Sequence, residues 1–338
     1  MYVMIIPVSG GGFVSQLGII QHICEMGIKP DLIMASSGGN VAAYIAAAAK
    51  WKWPGIERIA EDINQNMFIK PWSNISSISL LFGYFKCDIY DHGDGVKDFF
   101  YRYFNSKNIG DYEIWTGTYN KTRQKSSLFC NRSRNESILD PVILDHELTQ
   151  SLDPIYLDRN IDMIAKASIA SASIPSIVPA EIINNEEYVD GGVSSASPFI
   201  IMQDAIRNHI IINNKKMHLI YINSIDLSQK QIKPCNNIID NWRQSMHNIV
   251  RSQTVIDRLA AYQLLRFFPG EMNKEEFSCS YENLQRVKRI QKKYQYSLLE
   301  IYPLNYNEVN ILNFTGNNVI EHIRNVYPNC ACRFWWLT

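Results

Sequence analysis

No run of apolar residues in this chain reaches the length of about 18 to 20 that a membrane-crossing helix needs. The opening stretch, MYVMIIPVSGGG, lacks the basic start and the small-residue cleavage site of a secretory leader, and reads instead as a first strand. Excess charge is missing as well. Lys and Arg number 33 against 33 Asp and Glu, so no overall field draws the chain to nucleic acid or to an acidic surface. Cysteines are few, scattered and odd in number (seven), which suits a reducing compartment better than a disulfide framework. Cys330 and Cys332 make only a C-x-C, and no second pair stands at zinc-ligand spacing, so neither a metal nor another cofactor is expected. There is no internal repeat, low-complexity linker or Pro/Gly-rich seam. The expectation is a single domain over 1–338, with a motif-bearing core at about 1–225 and a mainly helical part at about 235–338 packed on it. Together these absences point to a cytoplasmic protein that at most touches membranes peripherally.

What the chain does have is apolar content, 46%, enough to fill a sizeable core. Residues 3–8 (VMIIPV) run into Ser9-Gly10-Gly11-Gly12, and a helical pattern follows with Leu17, Ile20, Ile23 and Cys24 at 3–4 spacing. Gly27 suits the C-terminal cap of that helix. Residues 32–35 (LIMA) predict a second strand, and Val41 to Ala49 a second helix. This order opens a parallel α/β sheet, whose right-handed crossover puts both strand ends on one edge. The triple glycine and Ser37 then emerge side by side. Further on, 114–130 predicts two strands around a polar turn and 162–180 a helix ending before Pro175. Residues 181–192 predict a hairpin turning at Asn184-Asn185, and 217–224 a buried strand. Residues 238–301 read as mostly helical and 315–327 as a late helix.

Acyl transfer needs a nucleophile, a base, and donors aimed at the developing oxyanion. Ala35-Ser36-Ser37-Gly38-Gly39 has the small-x-Ser-x-Gly pattern of a nucleophile elbow, although an N-capping serine would look similar. Ser37 is the better candidate of the two serines, because it is flanked by Ala35 and Gly39 and lets strand and helix pack tightly. Backbone amides of Gly11, Gly12 and Gly38 are candidate oxyanion donors. For the base, Asp190 ends a strand ahead of Gly191 and Gly192; as a lone Asp-Gly it would be an ordinary turn. Phosphate sites fit less well. A Walker loop would need a Lys that GGGFVSQLG lacks, and a dinucleotide fingerprint would need an acid where Ser36 and Ser37 stand.

These pieces resemble the patatin-like phospholipase family. Its glycine-rich oxyanion loop looks like Gly10-Gly11-Gly12, its Gly-x-Ser-x-Gly elbow like residues 35–39, and its Asp-Gly-Gly/Ala motif like residues 190–192. Supporting stretches occur in the same order: GIIQHICEMGIKPDLIMASSGGN, ASASIPSIVPAEI and EEYVDGGVSSASP. The resemblance implies a three-layer α/β fold, a central and mostly parallel sheet with helices on both faces. It also implies a lipid acyl hydrolase working with a Ser37–Asp190 dyad and no metal, acting on phospholipid or another acyl ester. The sequence departs from the family pattern in two places. Phe13-Val14-Ser15 stands where members carry Lys or Arg, so oxyanion stabilisation would rest on backbone dipoles, and Ala35 replaces the elbow's first glycine.

Two rivals follow from the same residues. One is a Ser-His-Asp esterase recruiting His209, His218 or His247; the other is a lipid-binding relative that has lost turnover. Three secondary features are ambiguous. Aromatic and aliphatic residues between 67 and 104 (Phe68, Trp72, Leu80, Leu81, Phe82, Tyr84, Phe85, Phe99, Phe100, Tyr103 and Phe104) suit a core better than an acyl wall. The basic amphipathic stretch 283–294 suits a solvated helix face better than a lipid surface. The tail CRFWWLT at 332–338 suits packing against the body better than a lipid interface.

Overall fold

The computed structural model of the protein describes residues 1–64, 67, 69–71, 90–93, 95–139, 152–175, 177–224, 238–304 and 315–338. Strand β1 (Tyr2–Ile6) leads through a single 3-10 turn at Gly10–Gly12 into helix α1 (Phe13–Glu25), then β2 (Leu32–Ser36) and α2 (Gly38–Ala48). β1 and β2 are apolar almost throughout because both of their faces are covered. Val3, Ile5, Leu32 and Met34 enter one core, while Met4, Ile6, Ile33 and Ala35 enter a second core on the other face. α1 stops as expected: Gly27 has φ of 63°, and the Ile28 N–H closes back onto the Ile23 carbonyl at 3.3 Å.

The chain continues with α3 (Trp53–Glu61), a small ribbon of β3 (Ile69–Pro71) and β4 (Tyr90–His92), α4 (Gly95–Tyr103), β5 (Glu113–Asn120), β6 (Lys125–Cys130) and β7 (Leu152–Tyr156). Then come α5 (Ile161–Ser171), β8 (Glu181–Ile183), β9 (Glu186–Asp190), α6 (Phe199–Ile212), β10 (Met217–Ile222) and α7 (Ile238–Phe267). The last elements are β11 (Met272–Ser278), α8 (Tyr281–Lys293), β12 (Tyr296–Pro303), α9 (Gly316–Val326) and β13 (Cys330–Leu337). Among the described residues eleven strands form the main sheet, in the order β11-β13-β12-β10-β1-β2-β5-β6-β7, with β9 on β5 and β8 on β9. The central run β12-β10-β1-β2-β5 is parallel, and antiparallel strands close its flanks. α1 to α5, α8 and α9 contribute to the core on one face, α6 and α7 to the core on the other. This is the three-layer α/β arrangement.

The β8–β9 hairpin turns where the sequence placed it, with φ of 51° at Asn184 and 64° at Asn185. Beyond residue 238 the helices are joined by β11 and β12, strands that the helical reading of 238–301 passed over, and β13 follows the last helix. The tail is β13, and Phe334 is fully buried in it. In α8, Leu284 and Val287 are buried in the protein's own core, while the Lys288 ammonium donates to the Met26 carbonyl at 2.6 Å. No described helix is long and apolar enough to cross a membrane.

Candidate active site

β5 acts as a ruler that brings distant residues together. β2 lies along one part of it and ends with Ser36 opposite Gly117. β9 takes over at the next position, placing Asp190 opposite Thr118. Ser37 and Asp190 are therefore delivered to neighbouring points on one strand, and the Ser37 hydroxyl donates to Asp190 Oδ2 at 2.6 Å.

Ser37 sits at the bend itself, with φ of 54° and ψ of −131°, a conformation that costs a residue with a side chain about 1 to 3 kcal/mol. Close packing on the glycine side holds it there. A Cβ on Gly39 would lie 2.3 Å from the Ile6 carbonyl oxygen, and one on Gly38 would lie 2.4 Å from that of Gly10. No side chain fits at either position. Ala35 lies inside β2 without a positive φ, so the loss of the family's glycine adds no strain at that position. Ser36 faces the other way, with its Oγ 2.3 Å from where a Gly117 Cβ would be. The Ser37 amide donates to Ser171 Oγ at 2.9 Å, and that hydroxyl donates onward to the Gly117 carbonyl at 2.7 Å. Ser171 thus ties α5 to both β5 and the bend.

Asp190 is almost wholly enclosed. Besides Ser37, it accepts the Gly192 N–H on Oδ1 at 2.7 Å, while its own N–H donates to the Ser173 carbonyl. Burial pushes its carboxyl up to about 6, and the two hydrogen bonds pull only partly the other way. Gly191 permits the crossing of chains here, since a Cβ on it would lie 2.5 Å from the Gly117 oxygen.

The glycine turn lies against this pair and differs in detail from the expectation. The Gly12 N–H, an expected oxyanion donor, donates to the Ser9 carbonyl at 2.8 Å, because Gly10–Gly12 winds as a 3-10 turn and consumes it. Among the described residues, the amides of Gly10, Gly11 and Gly38 have no hydrogen-bond acceptor. Gly10 has φ of 51°. Gln16, fully buried in α1, clamps the turn: it accepts the Ser9 hydroxyl at 2.7 Å and donates to the Pro7 carbonyl at 2.8 Å. Neither Gln16 nor Ser171 stood out in the sequence. Both are ordinary polar residues within helical stretches, and only their burial marks them.

One turn past Ser37 a partly open cavity of about 60 Å³ begins between α2, α4 and α5. Phe99 and Phe100 line it, and with Phe104 they pack on Tyr44 and on one another, so these aromatics serve as core and wall together. Phe68, Trp72, Leu80, Leu81, Phe82, Tyr84 and Phe85 lie outside the described residues. Two polar groups of the cavity lining, Asn40 Nδ2 and Ser168 Oγ, are buried without a partner among the described residues. Leaving such groups unpaired costs on the order of 1 to 3 kcal/mol each.

The candidate histidines make other contacts. His218 is the second residue of β10, opposite Tyr2, and bonds Ser297 Oγ at 2.9 Å. His209 meets Asn213 and Lys215 at the end of α6. The His247 side chain lies outside the described residues. Among the described residues, no group of three or more His, Cys, Asp or Glu side chains is placed to hold a metal.

The family model of the patatin-like phospholipases aligns with residues 8–202, a span that begins just before the glycine turn and ends beyond Asp190. No curated protein matches the chain.

Proposed function

This chain belongs to the patatin-like phospholipase family, and on that premise we propose that it cleaves fatty acyl esters of lipids through an acyl-enzyme on Ser37, with Asp190 as general base. The observation that carries the reading is the 2.6 Å contact from the Ser37 hydroxyl to a buried carboxylate whose pKa stands at about 6. A carboxylate near its ordinary value of 3.8 would be a weak base for a hydroxyl. Burial brings Asp190 closer to the working pH, and the hydrogen bond directs the transfer.

Ser37 Oγ attacks the ester carbonyl carbon as its proton passes to Asp190 Oδ2. The oxyanion forms against the amides of Gly38, Gly11 and Gly10, which have no competing acceptor among the described residues. Collapse of the tetrahedral species expels the alcohol, which takes the proton from Asp190. Water, deprotonated by the same carboxylate, then attacks the acyl-enzyme and releases the fatty acid. The acyl chain occupies the cavity between α2, α4 and α5. The dyad account is favoured over a triad through His209 or His218 because both make their hydrogen bonds elsewhere. Phospholipid, galactolipid and neutral lipid all remain substrates to be compared.

Treating the purified chain with a fluorophosphonate and screening it against a panel of acyl lipids tests the proposal. Labelling at Ser37 is expected, together with fatty-acid release that falls about a thousandfold or more in Ser37→Ala. Folded protein that takes no label at Ser37 and releases no fatty acid would overturn it in favour of a lipid-binding role.

A further inference from the structure

We infer that the cavity beside Ser37 selects acyl groups carrying a hydrogen-bonding oxygen within the first few carbons, a β-hydroxyacyl chain above all, with Asn40 and Ser168 as the selecting residues. The inference rests on the hydrolase reading of the site and deepens it. Most of the lining is apolar, including Val41, Ile45, Phe99 and Ile169, as an acyl chain requires. Set in this wall are two polar side chains whose hydrogen-bonding capacity is unspent. Asn40 is fully buried, and its Oδ1 accepts the Thr116 hydroxyl at 2.8 Å, which orients the amide and leaves Nδ2 as a donor without an acceptor. Ser168 is 7% exposed, and its hydroxyl is likewise without a partner among the described residues.

Their level in the cavity follows from helix geometry. Asn40 stands three residues after Ser37 on α2. Ser168 stands three residues before Ser171 on α5, and Ser171 Oγ holds the Ser37 amide. Asn40 is thus one helical turn, about 5 to 6 Å, from Ser37, and Ser168 one turn from Ser171, a distance that the first few carbons of an acyl chain span. A plain methylene chain covers both groups and leaves them unpaired. A hydroxyl at that level accepts from Asn40 Nδ2 and exchanges a hydrogen bond with Ser168, so the site discriminates by what the plain chain fails to satisfy.

The test compares para-nitrophenyl octanoate with its β-hydroxy counterpart. The full chain is expected to hydrolyse the hydroxy ester with kcat/KM at least about tenfold higher. In Ser168→Ala, and in Asn40→Ala with Ser168→Ala where the fold is retained, that ratio is expected to fall towards one. Equal turnover of both esters, or a ratio unchanged by Ser168→Ala, overturns the inference. Calorimetric binding of β-hydroxyoctanoate and octanoate to Ser37→Ala separates this outcome from failure of the hydrolase reading. A tenfold binding preference without any ester turnover would sink the hydrolase alone, whereas turnover without preference would sink only the selectivity.

Discussion

Asp190 must carry a negative charge to accept a proton, yet it is enclosed by protein. The unfolded chain sheds that proton near 3.8 and the folded chain near 6, so between these values the native state binds more protons and stability falls as pH rises. The stabilisation is complete below 3.8 and gone above 6, a difference on the order of 3 kcal/mol. Two outcomes are expected. Ester hydrolysis should rise along an acid limb with a midpoint near pH 6, measurable as kcat/KM against pH. Asp190→Asn should abolish turnover while raising the denaturation midpoint at pH 7 and leaving it nearly unchanged at pH 4, where the native carboxyl is already protonated. Gln16 acts more indirectly, by holding the turn whose amides face the bend. Replacing it with Leu strands the Ser9 hydroxyl and the Pro7 carbonyl, at about 1 to 3 kcal/mol for each group. Gln16→Leu is expected to lower kcat by about ten- to a hundredfold with a smaller change in KM, because it displaces oxyanion donors rather than the acyl cavity.

At the scale of elements, the bend between β2 and α2 is fixed by how closely its backbone passes β1. Gly39→Ala would drive a methyl group into the Ile6 and Pro7 carbonyls, at 2.3 and 2.5 Å. A loss of about 3 kcal/mol or more in urea denaturation is expected. Gly10→Ala meets nothing within 4 Å and bears only its positive φ, so its cost should be about 1 to 2 kcal/mol. Elements of this kind were legible in the sequence. Buried parallel strands write themselves as unbroken apolar runs, and the glycines that punctuate them are local signals. Register is not local: nothing in residues 113–120 reveals that β2 and β9 share one side of β5, which is the fact that unites Ser37 with Asp190. Their pairing entered through resemblance to a family. β11 escaped notice because Lys274, Glu275 and Glu276 follow one another in it, as an edge strand tolerates. In β12, YSLLEIYP is too short an apolar run for periodicity alone to separate strand from helix.

Across the whole molecule, the first and last strands of the chain belong to one sheet. β13 lies between β12 and β11 and pairs with both, so deleting residues 330–338 would detach β11 and open the edge of β12. Such a truncation is expected to aggregate, as size-exclusion chromatography with light scattering would show. β1 and β2 lie nearer the middle, sealed by apolar cores on both sides, with the bend carrying Ser37 directly attached to the end of β2. Amide protons of such strands exchange with solvent only when the entire fold opens, not through local fraying. A warmed sample should therefore keep its serine elbow shaped for as long as any native population survives, and thermal inactivation becomes a readout of global unfolding.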